Sequence, residues 1–197
     1  DHYLGAKSGM ATPGKVFLSQ IITGDKHFNE GICIPTSKQR FISDMKTRFS
    51  TVPEMQENPA LKNTVLSFTQ LILALHFNED KIDISDFYKD AMKIDGVKRW
   101  GAGKYWSADV ELFARSGQAM VDDELRAKNQ KNDYLVYDTQ VEGDDHRFVG
   151  TKGIPFPAGE EREKINEAFQ QLKIDISLYL SDIQDNNPQH GSHNAAN

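Results

Sequence analysis

Apolar residues spaced three and four apart dominate the chain from residue 37 onward, and that period marks helices with one buried face. Ser37 to Ser50 places Phe41, Ile42, Met45 and Phe49 on one side, with Lys38, Arg40, Lys46 and Arg48 elsewhere on the turn. A helix is predicted there, its basic face being ordinary solvated surface. Asn58 followed by Pro59 predicts a second helix start, because Asn caps free N–H groups and Pro tolerates the first turn. Nine of the thirteen residues from Val65 to Phe77 are apolar and spread round the wheel, so this helix, running to about Phe77, is the expected core element. His76 at its end is expected to meet the last carbonyls of its own helix rather than a metal.

A third helix is predicted from about Ser85 to Ile94, burying Phe87, Tyr88, Ala91, Met92 and Ile94, with Gly96 suited to a left-handed cap. Both tryptophans lie in the glycine-loosened stretch Arg99 to Trp106, which is expected to fold over the core. Ser107 is the expected N-cap of a fourth helix to about Asn129, with Val110, Ala114, Gly117, Val121 and Leu125 on one face and Phe113 and Met120 widening it. Asn132 to Val136 reads as a short extended segment and Asp138 to Asp145 as an acidic loop. A calcium site is rejected there, because the third position is Gln140 and the twelfth, Val149, carries no carboxylate. After Pro155 and Pro157 a last helix is predicted over about Glu160 to Ile183, from Ile165, Phe169, Leu172, Ile176, Tyr179 and Ile183. Glu160 and Glu161 in its first turn suit the helix dipole. Beyond Asp185 there is almost nothing to bury, so 186–197 is expected to be a disordered tail, in which His190 and His193 are incidental. The first 35 residues hold five glycines and read as irregular structure around one short element. The fold class that follows is mainly α, with five helices and little strand.

Composition narrows the role. The 197 residues carry a formal net charge of −6, which disfavours a broad phosphate-binding surface and makes nucleic acid an unlikely partner. A single cysteine, Cys33, cannot form an internal disulfide, so a reducing, cytoplasmic setting is expected. No apolar run approaches the roughly 20 residues of a membrane-spanning helix. The chain contains no H-E-x-x-H, no cysteine cluster, no G-x-S-x-G and no full phosphate loop. One juxtaposition stands out: Glu111 and Arg115 share a helix face beside Gln118, just after Tyr105 and Trp106. An ordinary i,i+4 ion pair of about 0.2–0.5 kcal/mol is the plain explanation of it.

Three stretches add to that reading. Tyr105-Trp106-Ser107 with Glu111-Leu112-Phe113-Ala114-Arg115 resembles a Y-W-S-x-x-x-E-M-F-A-R signature. Asn132-Asp133-Tyr134-Leu135-Val136 is similar to N-D-Y-L-V. Phe156-Pro157-Ala158-Gly159-Glu160-Glu161-Arg162, leading through Ile165-Asn166 to Ala168-Phe169, is similar to Y-P-x-G-E-E-R and I-N-x-A-F. In order and spacing, 105–172 resembles the large polyvalent-protein-associated domain of phages and conjugative elements, a zincin-like metallopeptidase family. Asp1-His2-Tyr3-Leu4-Gly5 resembles the end of that family's H-E-W-x-H-A-L-D-H-Y-L-G, and with Asp1 in place of Met the chain is expected to be a piece of something longer.

The resemblance implies that 1–185 is the C-terminal portion of a zincin-like domain beginning just past its H-E-x-x-H helix. It implies zinc and a protein or peptide substrate for the full-length parent, but no zinc and no activity for this chain alone. Glu111 is then the expected third metal ligand. Arg115 orients a carboxylate or packs the helix, and Tyr105 reaches the substrate side. Other domains of the polyvalent protein are the implied partners, with delivery into a recipient or host cell as the setting. The alternative is a non-enzymatic helical interaction module acting in anti-defence or conjugation. Where the family continues A-R-A-F, this chain has Ser116-Gly117, and glycine inside a helix costs about 1 kcal/mol against Ala unless close packing offsets it.

Overall fold

The computed structural model describes residues 53–78, 84–96, 105–132, 134–136, 139–140 and 153–186. Within them lie five helices: α1 (Pro53–Glu57), α2 (Pro59–His76), α3 (Asp86–Asp95), α4 (Asp109–Ala127) and α5 (Gly159–Asn186). The mainly helical class follows, and among the described residues the one strand-like feature is an antiparallel bridge between Phe77 and Ile84. The predicted helix over 37–50 and nearly all of the predicted tail lie outside the described residues, and α1 is a short helix that the apolar pattern does not predict. No described helix is long and apolar enough to cross a membrane.

Helix α2 is the core element its composition predicts. Asn58 Oδ1 accepts from Leu61 N at 2.7 Å, Pro59 opens the first turn, and Val65, Leu71, Ile72, Leu73 and Leu75 are fully buried. Its main neighbour is α5, which runs antiparallel to it. Polar bonds fix their register: Asn58 Nδ2 donates to Asp182 Oδ2 at 2.8 Å, Thr64 Oγ1 donates to the Asp175 carbonyl at 3.0 Å, and Ser67 Oγ donates to the Asp175 carboxylate. Of the predicted α5 stripe, Ile165, Phe169, Leu172 and Tyr179 are buried and Ile183 half-buried, while Ile176 faces outward. Phe113 of α4 joins the two, its ring centroid 6.2 Å from Phe68 and 5.1 Å from Phe169.

Helix α3 begins at the expected cap. Ser85 Oγ accepts from Tyr88 N at 3.0 Å and donates to the Leu75 carbonyl at 2.6 Å, so one hydroxyl starts α3 and fastens it to the end of α2. Its other end corrects the sequence reading: Gly96 has a right-handed φ of −68°, and its N–H bonds the Met92 carbonyl. A left-handed residue does follow α4, at Asn129 with φ 54°, where Gln130 N reaches back to the Leu125 carbonyl and closes the helix.

Three further expectations for this region give way. Ser107 is not the cap of α4, because Asp95 captures its hydroxyl, and Ala108 holds the cap position without a side-chain bond. The buried face of α4 is Leu112, Arg115, Ser116, Ala119, Met120 and Asp122, whereas Val110 and Ala114 are exposed. Period alone points to the apolar set because three charged side chains, Asp109, Arg115 and Asp122, are buried against partners outside the helix. The described residues 132 and 134–136 form a turn rather than extended chain, with the Leu135 and Val136 N–H groups both donating to the Asn132 carbonyl at 3.1 Å.

Candidate functional site

The signature residues divide into those that bind elements together and those that reach the surface. Arg162, from the last motif, is a fastener. Its Nε and Nη2 each lie 2.7 Å from an Asp123 carboxylate oxygen, Nη1 donates to the Thr139 carbonyl at 2.7 Å, and Nη2 also donates to the Ala119 carbonyl at 3.0 Å. Asn166 adds a 2.7 Å bond to Asp123. Next to it, burial would raise the Asp122 carboxyl, but hydrogen bonds from Thr139, Gln140 and Arg126 outweigh that and hold it below its ordinary range.

Glu161 lies in the first turn of α5 as expected, and its carboxylate also reaches a second helix, accepting from Asp86 N at 3.0 Å and Phe87 N at 2.9 Å, at the start of α3. It faces the N-terminal dipole of its neighbour as well as that of its own helix. His76 does depart from the sequence reading: Nε2 lies 2.7 Å from Asp109 Oδ1, with both side chains buried and the imidazole 4.5 Å from the Tyr88 ring.

The start of α4 holds the residues singled out from the sequence. Arg115 is buried, its guanidinium stacked 5.0 Å from the Trp106 ring centroid and 5.2 Å from that of Phe87. Nη1 donates to the Pro155 carbonyl and Nη2 to the Trp106 carbonyl. Burial pulls its pKa down to about 10, against the opposing pull of Glu111, Asp95 and Tyr105, so it stays a cation at neutral pH. Arg115 therefore packs the helix, and its Nε stands 3.5 Å from Glu111 Oε1.

Within the first motif, Glu111 is half-buried and Tyr105 lies at the surface. The Glu111 side chain retains 21% exposure, and Tyr105 is 61% exposed with its ring edge-on to Trp106. The Glu111 charge and its acceptance of the phenol's hydrogen bond hold the Tyr105 pKa above its ordinary value. Sequence reading finds this trio but misses what anchors it. Asp95, outside every motif, accepts from Trp106 N at 2.8 Å and from Ser107 N and Oγ at 2.9 and 2.6 Å.

A zinc site sets a direct test of these residues. Glu111 is a suitable donor, but a protein zinc site needs at least three, and among the described residues no three His, Cys, Asp or Glu side chains converge. The described residues do not by themselves make such a site.

A helical scaffold with one carboxylate–phenol pair at its rim is the class of structure these observations define. Residues 98–177 match the family model of large polyvalent protein-associated domain 1. The match encloses the three motifs that carried the resemblance. No curated protein and no solved structure matches the chain.

Proposed function

We propose that α4 presents Glu111 as one donor to a zinc site whose other ligands lie outside the described residues, in a metallopeptidase-like domain of a mobile-element polyvalent protein. The observation that supports it is the division of labour within the signature. Arg115, Glu161 and Arg162 are spent on backbone groups and, for Arg162, on the Asp123 carboxylate, while the half-buried Glu111 carboxylate sits beside an exposed phenol. Peptide hydrolysis is the chemistry such a domain would carry, and this chain's part is to hold Glu111 and Tyr105 in place. The test takes the protein with the segment encoded ahead of Asp1. An H-E-x-x-H there, with one bound zinc that Glu111→Gln removes, is the expected result; zinc retained by Glu111→Gln overturns the assignment.

A second reading, a non-enzymatic interaction module, draws on a different motif. In the turn pinned by Asn132, Tyr134 is 94% and Leu135 55% exposed, while Val136 is buried as an anchor. A signature that spends Asn and Val on displaying an aromatic and a leucine suits contact with another protein or domain. Absence of H-E-x-x-H upstream, together with loss of domain association in Tyr134→Ala at unchanged stability, selects this reading.

A further inference from the structure

We propose that Asp95 is a positioning residue for Glu111: by clamping the Trp106–Ser107 corner it holds the Arg115 guanidinium short of the Glu111 carboxylate and leaves that carboxylate uncaptured by the cation, able to exchange the Tyr105 phenol for a ligand. The inference rests on the reading that Glu111 is the working carboxylate of this site. Asp95 is the last residue of α3 and lies outside the family match, at 98–177.

The chain of contacts is short and continuous. Asp95 Oδ1 accepts from Trp106 N at 2.8 Å, and Oδ2 accepts from Ser107 N at 2.9 Å and Ser107 Oγ at 2.6 Å. Three donors on one carboxylate fix the orientation of the corner's peptide groups. The Trp106 carbonyl so fixed is the acceptor for Arg115 Nη2, and the Trp106 ring is one face of the sandwich around the guanidinium. On the other side, the Pro155 carbonyl accepts from Nη1 and the Phe87 ring completes the sandwich.

Held on these sides, the guanidinium has one nitrogen left without an acceptor. Arg115 Nε is buried and has no hydrogen-bond acceptor, and the nearest carboxylate oxygen, Glu111 Oε1, is 3.5 Å away, too far for a good bond. An unsatisfied buried N–H beside a carboxylate would ordinarily close that gap, since leaving it unmade costs about 1–3 kcal/mol. The clamp at Asp95 is what resists the closure. The result is a carboxylate that feels a nearby positive charge without being captured by it, which is the state a ligand-binding carboxylate requires.

The Arg115 Nε–Hε signal in a ¹⁵N-correlated NMR spectrum of the full chain reads this directly. With Asp95→Asn the corner loosens, and the Hε resonance is expected to move downfield and exchange more slowly as Nε bonds Glu111. Asp95→Asn combined with Glu111→Gln should return it toward the wild-type position. Ser107→Ala, which removes one of the three bonds, should give a smaller shift in the same direction, and it decides the matter if Asp95→Asn fails to fold. Asn58→Ala, which weakens the distant α2–α5 seam, should lower stability without moving the signal. An unmoved Hε resonance in both Asp95→Asn and Ser107→Ala, with stability alone reduced, reduces Asp95 to a brace and overturns the proposal. That outcome is separate from the zinc measurement, which tests Glu111 itself.

Discussion

His76 Nε2 lies 2.7 Å from Asp109 Oδ1, and the two side chains keep 5% and 8% of their exposure. The pair ties the last residue of α2 to the first of α4, where a carboxylate also suits the helix dipole. Removing one member leaves the other buried without its partner. Asp109→Ala is therefore expected to cost about 3 kcal/mol, read as a lowered denaturation midpoint. In a double-mutant cycle with His76→Ala the two losses should fall well short of additive; full additivity would show that the contact contributes nothing of its own.

Gly117 interrupts α4 where an ideal Cβ would meet Phe169 Cζ at 3.5 Å and Cε1 at 3.8 Å. Those are ordinary contact distances, so the packing does not demand glycine and does not explain it. Gly117→Ala should stabilise the protein by about 0.5–1 kcal/mol, through helix propensity and a more restricted unfolded chain. A fall in melting temperature would mean that the α4–α5 approach is tighter than these distances.

Gly153 is the opposite case. A Cβ there would lie 2.5 Å from the Asp90 carbonyl oxygen and 3.0 Å from Ile94 Cγ1, and the adjoining Ile154 N–H donates to Asp90 Oδ2 at 3.0 Å. The obstruction is backbone and cannot rotate away. Gly153→Ala should destabilise by about 1–3 kcal/mol. Because the same segment carries the Pro155 carbonyl that anchors Arg115, the Arg115 Nε signal should also shift.

What the sequence made legible follows a physical line. Local signals hold: Asn58-Pro59 and Ser85 cap helices as their chemistry predicts, and the stripe from Ile165 to Tyr179 buries four of its five residues. Readings fail where a polar side chain is satisfied by a residue far along the chain. Ser107 is drawn away from capping by Asp95, and His76 from its own carbonyls by Asp109. The inner face of α4 escapes the periodicity for the same reason, since Arg115 and Asp122 are buried against partners that lie mostly outside the helix, among them Pro155 and Thr139. The motif pattern picks out Glu111, Arg115 and Tyr105 but carries no hint of Asp95.

Arg162 joins α5 to Asp123, Ala119 and Thr139 through a forked guanidinium. Lysine can supply the charge but cannot present parallel donors to a carboxylate and two carbonyls at once. Arg162→Lys should lose about 2 kcal/mol of stability in urea denaturation. Asp123→Asn should cost less, because it keeps one acceptor for the fork; equal stability of Arg162→Lys and wild type would show the network to be idle.

Glu161 gives the fold a pH dependence with a definite sign. Burial, together with the charges of Asp86 and Asp90, raises its carboxyl above the ordinary value despite the two backbone N–H groups it accepts from. Its folded pKa therefore exceeds the unfolded value of about 4.3. Across that interval the folded state binds more protons than the unfolded one, so the contribution is fully present below about pH 4 and is lost as pH rises through the raised folded value. The Glu161→Gln variant carries no titrating group at this position and serves as the reference. The stability of wild type relative to Glu161→Gln should thus fall with rising pH above about 4 and then level off. Asp86→Asn, which removes one of the raising charges, should narrow the interval. A relative stability that climbs with pH over the same range would mean that the N–H bonds outweigh burial, and that the ionised carboxylate is the preferred state of this junction.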